Sequence, residues 1–208
     1  PGMYVGCAPV GGVTAGAIVG AIAGSGLHPN RGQAPLQPPP ESKLHWDHFN
    51  VAIFCKNYGM RVWNSGVATI GGLARNPEEA AIARLASILG ECGLTDGDSC
   101  TVWCTDVRGV TNARRNLWVN CAINRALDRH IGLCAYNLGQ VFGGPCTEMG
   151  FQETAAYTIA YTCGGGELIW GGSLSSGITT DRCAGIAGRM VGEMSRAVAG
   201  ISREVANE

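Results

Sequence analysis

Hydrophobic positions along this chain alternate between two rhythms. Short apolar runs of strand length stand between longer stretches with helical periodicity. Met3–Cys7 reads as a strand, with Pro9–Gly12 as the turn after it. Val13–Gly24 then reads as a helix of Ala, Gly, Ile and Val whose small face suits close packing. Ser42 is placed to cap a helix over Lys43–Tyr58, with Leu44, Phe49 and Ile53 on its apolar side. Arg61–Asn64 is a short strand. Asn76-Pro77-Glu78-Glu79 is a helix start: a capping side chain, proline at the first position and acids in the first turn. That helix runs to Glu91. Ser99–Thr105 is a strand, Asn112–Arg129 a helix and Ile131–Tyr136 a strand. Gly143-Gly144-Pro145-Cys146-Thr147-Glu148-Met149 is a tight turn feeding a helix, with Cys146 or Thr147 as its cap. This helix extends to Thr162 and is stopped by Gly164-Gly165-Gly166. Glu167–Trp170 is a strand, Gly171–Gly177 a small-residue loop, and Thr179-Thr180-Asp181 caps a last helix that continues to Glu208.

The pattern is five strands alternating with six helices, without hairpin signals, so a parallel sheet is implied. Five strands fit an open doubly wound sheet or part of an eight-stranded barrel. The glycine fingerprint of dinucleotide-binding folds is absent from the turn where it belongs, since Gly20-Ala21-Ile22-Ala23-Gly24 lies within a helix. The expectation is therefore α/β: one domain over residues 1–208, a partial (β/α)8 barrel. Ser25–Glu41 interrupts the alternation. It holds five prolines and reads as a loop, extended at Pro38-Pro39-Pro40, serving as a lid or partner-binding arm. The chain opens on Pro1 rather than methionine and its last helix reads on to Glu208, so a piece of a longer protein is expected.

Composition narrows the classes. Hydrophobic residues make up 46% of 208 and charged residues 15%, enough for a sizeable core and too apolar for disorder. A net charge of −1 gives no reason to expect a nucleic-acid partner. No apolar run reaches the roughly 18 residues of a membrane span, so no membrane partner is expected. Most of the 10 cysteines sit inside apolar periodic segments, where a free thiol packs as a small hydrophobe. That points to a reducing compartment, the cytoplasm.

In parallel α/β folds the chemistry sits at the carboxyl ends of the strands. Those ends carry Ala8, Pro9 and Val10; Trp63 and Asn64; Trp103, Cys104, Thr105 and Asp106; Tyr136, Asn137 and Gln140; and Trp170 with the Ser/Gly loop. An aromatic at four of five strand ends is what a methylated ammonium needs, because cations sit over ring faces. The same rings also serve to pack a rim or face helices. Other groupings are weaker. His45-Trp46-Asp47-His48 offers two metal ligands without a second cluster, and a surface helix explains it better. Cys100 and Cys104 share a strand face but lack a second pair, so they read as core and no metal site is expected. Arg114-Arg115 opposes the dipole at its helix start, and suits a solvated face or a contact to an acidic partner. Backbone donors of Gly171–Gly177 could cradle an anion or simply turn the chain.

The turn Gly143–Met149 resembles that of the monomethylamine methyltransferase family. The likeness continues through Gly171–Gly177 and Thr179-Thr180-Asp181, and is clearest in Gly188-Arg189-Met190-Val191-Gly192-Glu193-Met194-Ser195-Arg196-Ala197-Val198-Ala199-Gly200. Ile70-Gly71-Gly72 and Thr111-Asn112-Ala113-Arg114 fit more loosely, in the right order. The resemblance implies the carboxyl-terminal part of a (β/α)8 barrel in a homo-oligomer. It implies methyl transfer from methylamine to the cobalt of a corrinoid (cobalamin) presented by a partner protein, with no cofactor bound directly. The family's pyrrolysine falls at Val10, which cannot form the imine adduct that captures an amine; alternatively the residue precedes Pro1. Its acid near the amine is replaced around Asn64. Gln140 matches a cleft glutamine, with Tyr136 beside it.

Displacement at carbon by a reduced cobalt requires that the amine leave neutral, so the substrate must be a cation. A quaternary ammonium leaves as a neutral amine and needs no proton donor, which suits a site lacking both electrophile and acid. The expected substrate is thus a methylated amine, monomethylamine or a related or quaternary one, held by Trp63, Asn64, Trp103 and Trp170, with Tyr136 and Gln140 as catalytic residues. Two alternatives remain: an inactive paralogue that docks the corrinoid protein or serves as a subunit, and an unrelated barrel lyase or isomerase using Asp106 and Cys104.

Overall fold

A computed structural model describes residues 15–25, 33–36, 46–95, 97, 99–177, 182 and 184–207. The elements run α1 (Ala15–Ser25), β1 (Gln33–Leu36), α2 (Trp46–Tyr58), β2 (Arg61–Asn64), β3 (Ala68–Ile70), α3 (Pro77–Thr95), β4 (Ser99–Val102) and β5 (Cys104–Asp106). They continue with α4 (Arg114–His130), β6 (Cys134–Gln140), α5 (Glu148–Cys163), β7 (Leu168–Ser173), a 3-10 turn (Leu174–Gly177), α6 (Gly185–Val198) and α7 (Arg203–Ala206).

The predicted caps form where they are described. Asn76 Oδ1 accepts from Glu79 N at 2.8 Å, and Thr147 Oγ1 accepts from Gly150 N at 3.1 Å. Gly164 closes α5, and Gly165 turns the chain at φ 88°. The last helix departs from expectation. It begins at Gly185 after Ala184, which makes no side-chain cap bond, and Thr179-Thr180-Asp181 lie outside the described residues. It ends at Val198, because Gly200 takes φ 85°, and a separate short helix, α7, follows from the Ser202 cap. On α2 the buried positions are His48, Val51, Ala52 and Cys55, whereas Ile53 is exposed: the apolar stripe lies on the other side of the helix from the one expected.

The main sheet has five strands in the order β1-β2-β4-β6-β7, each pair parallel. β3 pairs parallel with β5 as a separate two-stranded sheet, and Ala68 N donates to Trp103 O in the gap between β4 and β5. Two strands were not expected. β1 lies inside the proline-rich arm; Pro35 is tolerated there because, among the described residues, β1 pairs only with β2 and so is an edge. β3 extends the β2 seam after Ser65-Gly66-Val67.

Sequential strand order with right-handed crossovers sends every connecting helix to one side of a sheet. The core follows that rule. Ala68, Ile70, Cys100, Val102, Cys104 and Ala135 pack with Ile88 of α3 and Val119, Ile123 and Leu127 of α4. Val62 packs with Val51 and Cys55 of α2, and Ile169 packs with Tyr157 of α5 and Ala187 and Val191 of α6. Cys100 and Cys104 are thus core, as expected. The β2–β4 seam has one registered pair, Asn64↔Cys100, and needs help. Arg84 of α3, fully buried, donates through Nη2 to Thr101 O (2.7 Å) and Asn64 O (3.4 Å), one carbonyl on each strand. Its charge is met by Glu91 at 2.9 Å, which also accepts from Ser87. No described helix is long and apolar enough to cross a membrane.

Candidate functional site at the strand carboxyl ends

Strand alternation sorts the side chains of β4–β7 into two sets. One set faces the helices. Asn137 accepts from Asn124 Nδ2 of α4 at 2.9 Å, and Gly139 backs onto α5 so closely that a methyl there would lie 2.2 Å from Tyr157 Cζ. The other set therefore lies on the helix-free face: Ser99, Thr101, Trp103 and Thr105 along β4–β5, and Tyr136, Leu138 and Gln140 along β6. Register joins neighbouring strands on that face, pairing Thr101 with Tyr136, Tyr136 with Leu168 and Leu138 with Trp170. Gln140 is the last residue of β6 and pairs with Ser173 across a register shift. Thr69 and Thr105 bring their hydroxyls to 3.5 Å on the same face.

Gln140 is held from behind by its main chain. Its N–H donates to Thr111 Oγ1 at 2.8 Å, and its carbonyl accepts from Thr111 N at 3.0 Å. Thr111 belongs to the β5–α4 loop and is fully buried. The Thr111 carbonyl accepts from the Tyr161 hydroxyl at 3.5 Å, and that hydroxyl accepts from Asn120 Nδ2 at 2.8 Å. Burial pushes the Tyr161 hydroxyl well above the ordinary phenol range, against its hydrogen bonds to Asn120 and Thr111, so it stays a donor. The loop is fixed again by Asn116, whose Nδ2 donates to Val110 O at 2.6 Å.

The turn after β6 is tightened by close backbone approach. A methyl on Gly143 would lie 2.2 Å from Gly150 N, so only glycine fits. Gly143 N donates to Glu153 Oε2 at 2.7 Å and its carbonyl accepts from Ser175 N at 3.0 Å, which ties the β6–α5 loop to the turn after β7. Cys146 and Ser175 both take positive φ, 59° and 53°. Around this mouth Leu73, Val107, Phe142 and Met149 are exposed, and Arg108 lies over the Phe142 ring at 5.5 Å while pairing with Asp106.

Residues 7–208 match the family described as Monomethylamine methyltransferase MtmB. The chain belongs to this family. The MtmB of Methanosarcina mazei is 29% identical over 178 residues, 81% of this chain and 37% of that protein. MtmB1 of Methanosarcina barkeri is 28% identical over 167 residues, 77% of this chain and 35% of that protein. The chain thus spans about a third of the length of the curated relatives it matches. The crystal structure of M. barkeri MtmB shares the fold at TM-score 0.81 and 24% identity, covering 93% of this chain and 42% of that one. A second MtmB crystal structure, a hydroxylamine complex, aligns equally well.

Within this member of the MtmB family, Tyr136, Gln140 and Trp170 lie on neighbouring strands that share a helix-free face, and Trp103 lies in the break between β4 and β5. Trp170 is half exposed, and Trp103 Nε1 is buried without a hydrogen-bond partner among the described residues. Trp63 lies in β2, paired with Pro35. Asn64 does not join that face: it is one residue out of phase, and its Nδ2 donates to Cys92 Sγ of α3 at 3.0 Å. Val10 lies outside the described residues. The lyase or isomerase alternative supposed an unrelated barrel, whereas this chain belongs to the MtmB family. Cys104 is fully buried against the helices, with burial pushing its thiol to about 12. Among the described residues no group of three His, Cys, Asp or Glu side chains is placed to hold a metal.

Sequence reasoning missed the residues that support the site. Asn116, Asn120 and Asn124 are buried on one stripe of α4, each bonded to a loop, a helix or a strand of the site's surroundings. Their spacing of four was the available signal: three amides on one face of an otherwise core-facing helix must each find a partner.

Proposed function

We propose that this chain is the carboxyl-terminal part of a (β/α)8 barrel that moves a methyl group from a methylated amine to the cobalt of a corrinoid carried by a partner protein. The observation that carries the reading is the placement of Tyr136, Gln140 and Trp170 on the helix-free face at the end of a sequential parallel sheet, in a chain of the MtmB family. Sequential order with all helices outside is how a barrel wall is built.

The substrate class is a small ammonium ion, methylamine or a more methylated one, up to quaternary. Trp103, Trp170 and Tyr136, with Trp63 from β2, supply ring faces for the cation and exclude water. Gln140, its main chain fixed by Thr111, orients the C–N bond in line with the acceptor. At Val10, where the family resemblance sets pyrrolysine unless that residue precedes Pro1, the chain offers no electrophile, and the amine is held by rings and amide. The reduced corrinoid supplies the nucleophile. The exposed apolar set Leu73, Val107, Phe142 and Met149, with Arg108, suits contact with a protein that presents a largely apolar macrocycle at this mouth. The working form is an oligomer of this chain in the cytoplasm.

The test is methylation of cob(I)alamin with methylamine, dimethylamine, trimethylamine and tetramethylammonium, with corrinoid-protein pull-down in parallel. Expected is transfer from at least one amine, reduced at least tenfold by Gln140→Leu with the circular dichroism spectrum unchanged. Pull-down without transfer from any amine would replace this reading by the docking-only paralogue. Transfer from methylamine alone would remove the quaternary substrates.

A further inference from the structure

A groove of about 460 Å³ runs along the outer surface of the helix layer, on the opposite side of α4 from the site above. The inward stripe of α4 is Asn116, Val119, Asn120, Ile123, Asn124 and Leu127. The groove uses another: Arg114, Trp118, Cys121 and Arg125. Its second wall is α5, where Ala156 and Ala160 are too small to fill the space between the helices. α7 closes it through Arg203.

Its charge is one-sided. Arg114, Arg125 and Arg203 all line it, and no Asp or Glu does. Glu204 neighbours Arg203 and offsets that charge in part, but Arg114 and Arg125 have no carboxylate ion-pair partner among the described residues. The floor adds no counter-charge. Burial pushes the Cys121 thiol to about 11, against the pull of Arg125, so it stays neutral. Trp118 is half exposed at the wall, an unusual place for an indole unless something packs on it. Arg114 and Arg125 stand about 16 Å apart along the helix at 1.5 Å per residue, so the space between is elongated.

We propose that this groove is a binding site for a small, elongated carboxylate with an apolar body. The body lies over Cys121, Ala156 and Ala160 with one side against Trp118, and the carboxylate pairs with the guanidinium at one end of the groove, that of Arg114 or Arg125. The volume is that of a small-molecule site, and an apolar floor with a few charged groups at its edge is the usual makeup of one. Arginine suits the carboxylate through paired N–H donors. This site is independent of the methyl-transfer reading.

The probe is decanoate, with decanamide as its uncharged counterpart, titrated by calorimetry and by indole fluorescence against a Trp118→Phe control. Decanoate should bind saturably and at least about tenfold tighter than decanamide, an advantage of about 1.4 kcal/mol. That advantage should vanish in Arg125→Gln/Arg114→Gln, whose exposed side chains leave folding intact by circular dichroism. Equal affinity for the two probes, or an undiminished advantage in the double variant, overturns the proposal. So does a Trp118 already shielded from iodide in the free protein, which would show the groove filled by a second copy or another segment.

Discussion

Replacing Thr111 with valine keeps the shape of a buried side chain and exchanges one group, the Oγ1 hydroxyl, for a methyl. That oxygen accepts the Gln140 N–H at 2.8 Å, and Thr111 is fully buried, so no water replaces it. The cost is that of an orphaned buried amide, about 1–3 kcal/mol, rather than the smaller net worth of an ordinary hydrogen bond. With a urea dependence of about 2 kcal/mol per molar, the midpoint should fall by about 0.5–1.5 M. Thr111→Ser keeps the oxygen and loses only a methyl, and should fall by less than half as much. Activity separates support of Gln140 from bulk stability. Well below its own midpoint, Thr111→Val should lose kcat more than KM changes, because Gln140 still binds but from a shifted backbone. The reasoning fails if the Val and Ser variants unfold at the same urea concentration, or if kcat is unaltered in the valine variant.

Two further outcomes follow from the packing. Gly139→Ala puts a methyl 2.2 Å from Tyr157 Cζ and should destabilise by about 1–3 kcal/mol; Tyr157→Leu in the same chain should recover part of that loss, and strict additivity in denaturant midpoints would contradict the contact. Burial raises the Glu91 carboxyl above its ordinary range despite the opposing Arg84 charge, and its Oε2 has no hydrogen-bond partner among the described residues. The folded state therefore holds a proton there that the unfolded chain releases earlier. This contribution is complete below the ordinary carboxylate range and is lost as pH rises through the raised value. Stability measured by urea across that window should fall with rising pH in the native chain, and Glu91→Gln should flatten this component; identical pH profiles would refute it.

The parallel alternation was legible because the central strands are short runs between helices, two of which, α3 and α5, open on a side-chain cap. Asn76, Thr147 and Gly164 announced their helix ends through local chemistry alone. What stayed hidden depends on neighbours distant in sequence. β1 carries a proline that argues against a strand until its partner on one side, and none described on the other, makes it an edge. Trp103 looks like mid-strand and instead separates β4 from β5, where its carbonyl takes Ala68 N from the next seam. Asn64 was placed at the cleft because it ends a strand; period-two alternation, counted from its partner Cys100, sends it to the helices. A strand end names a neighbourhood, and only the phase of the strand names a face.

The placement of polar residues in the helix layer bears on how such a face keeps its geometry. Leucine in place of Asn116, Asn120 and Asn124 would bury more apolar area, yet apolar contacts tolerate sliding and a hydrogen bond does not. Here each amide is bonded to something different: the loop carbonyl of Val110, the Tyr161 hydroxyl of α5 and Asn137 of β6. One helix therefore sets the position of a loop, a neighbouring helix and a strand relative to itself. Through Tyr161 and Thr111 the same bonds reach the backbone of Gln140. A buried polar group with one correct partner is costly in every other arrangement, so it selects a register even when it adds little to stability. The side chains on the helix-free face carry no part of this scaffold. They are free to meet a substrate, while the strand ends that present them stay where the amides hold them.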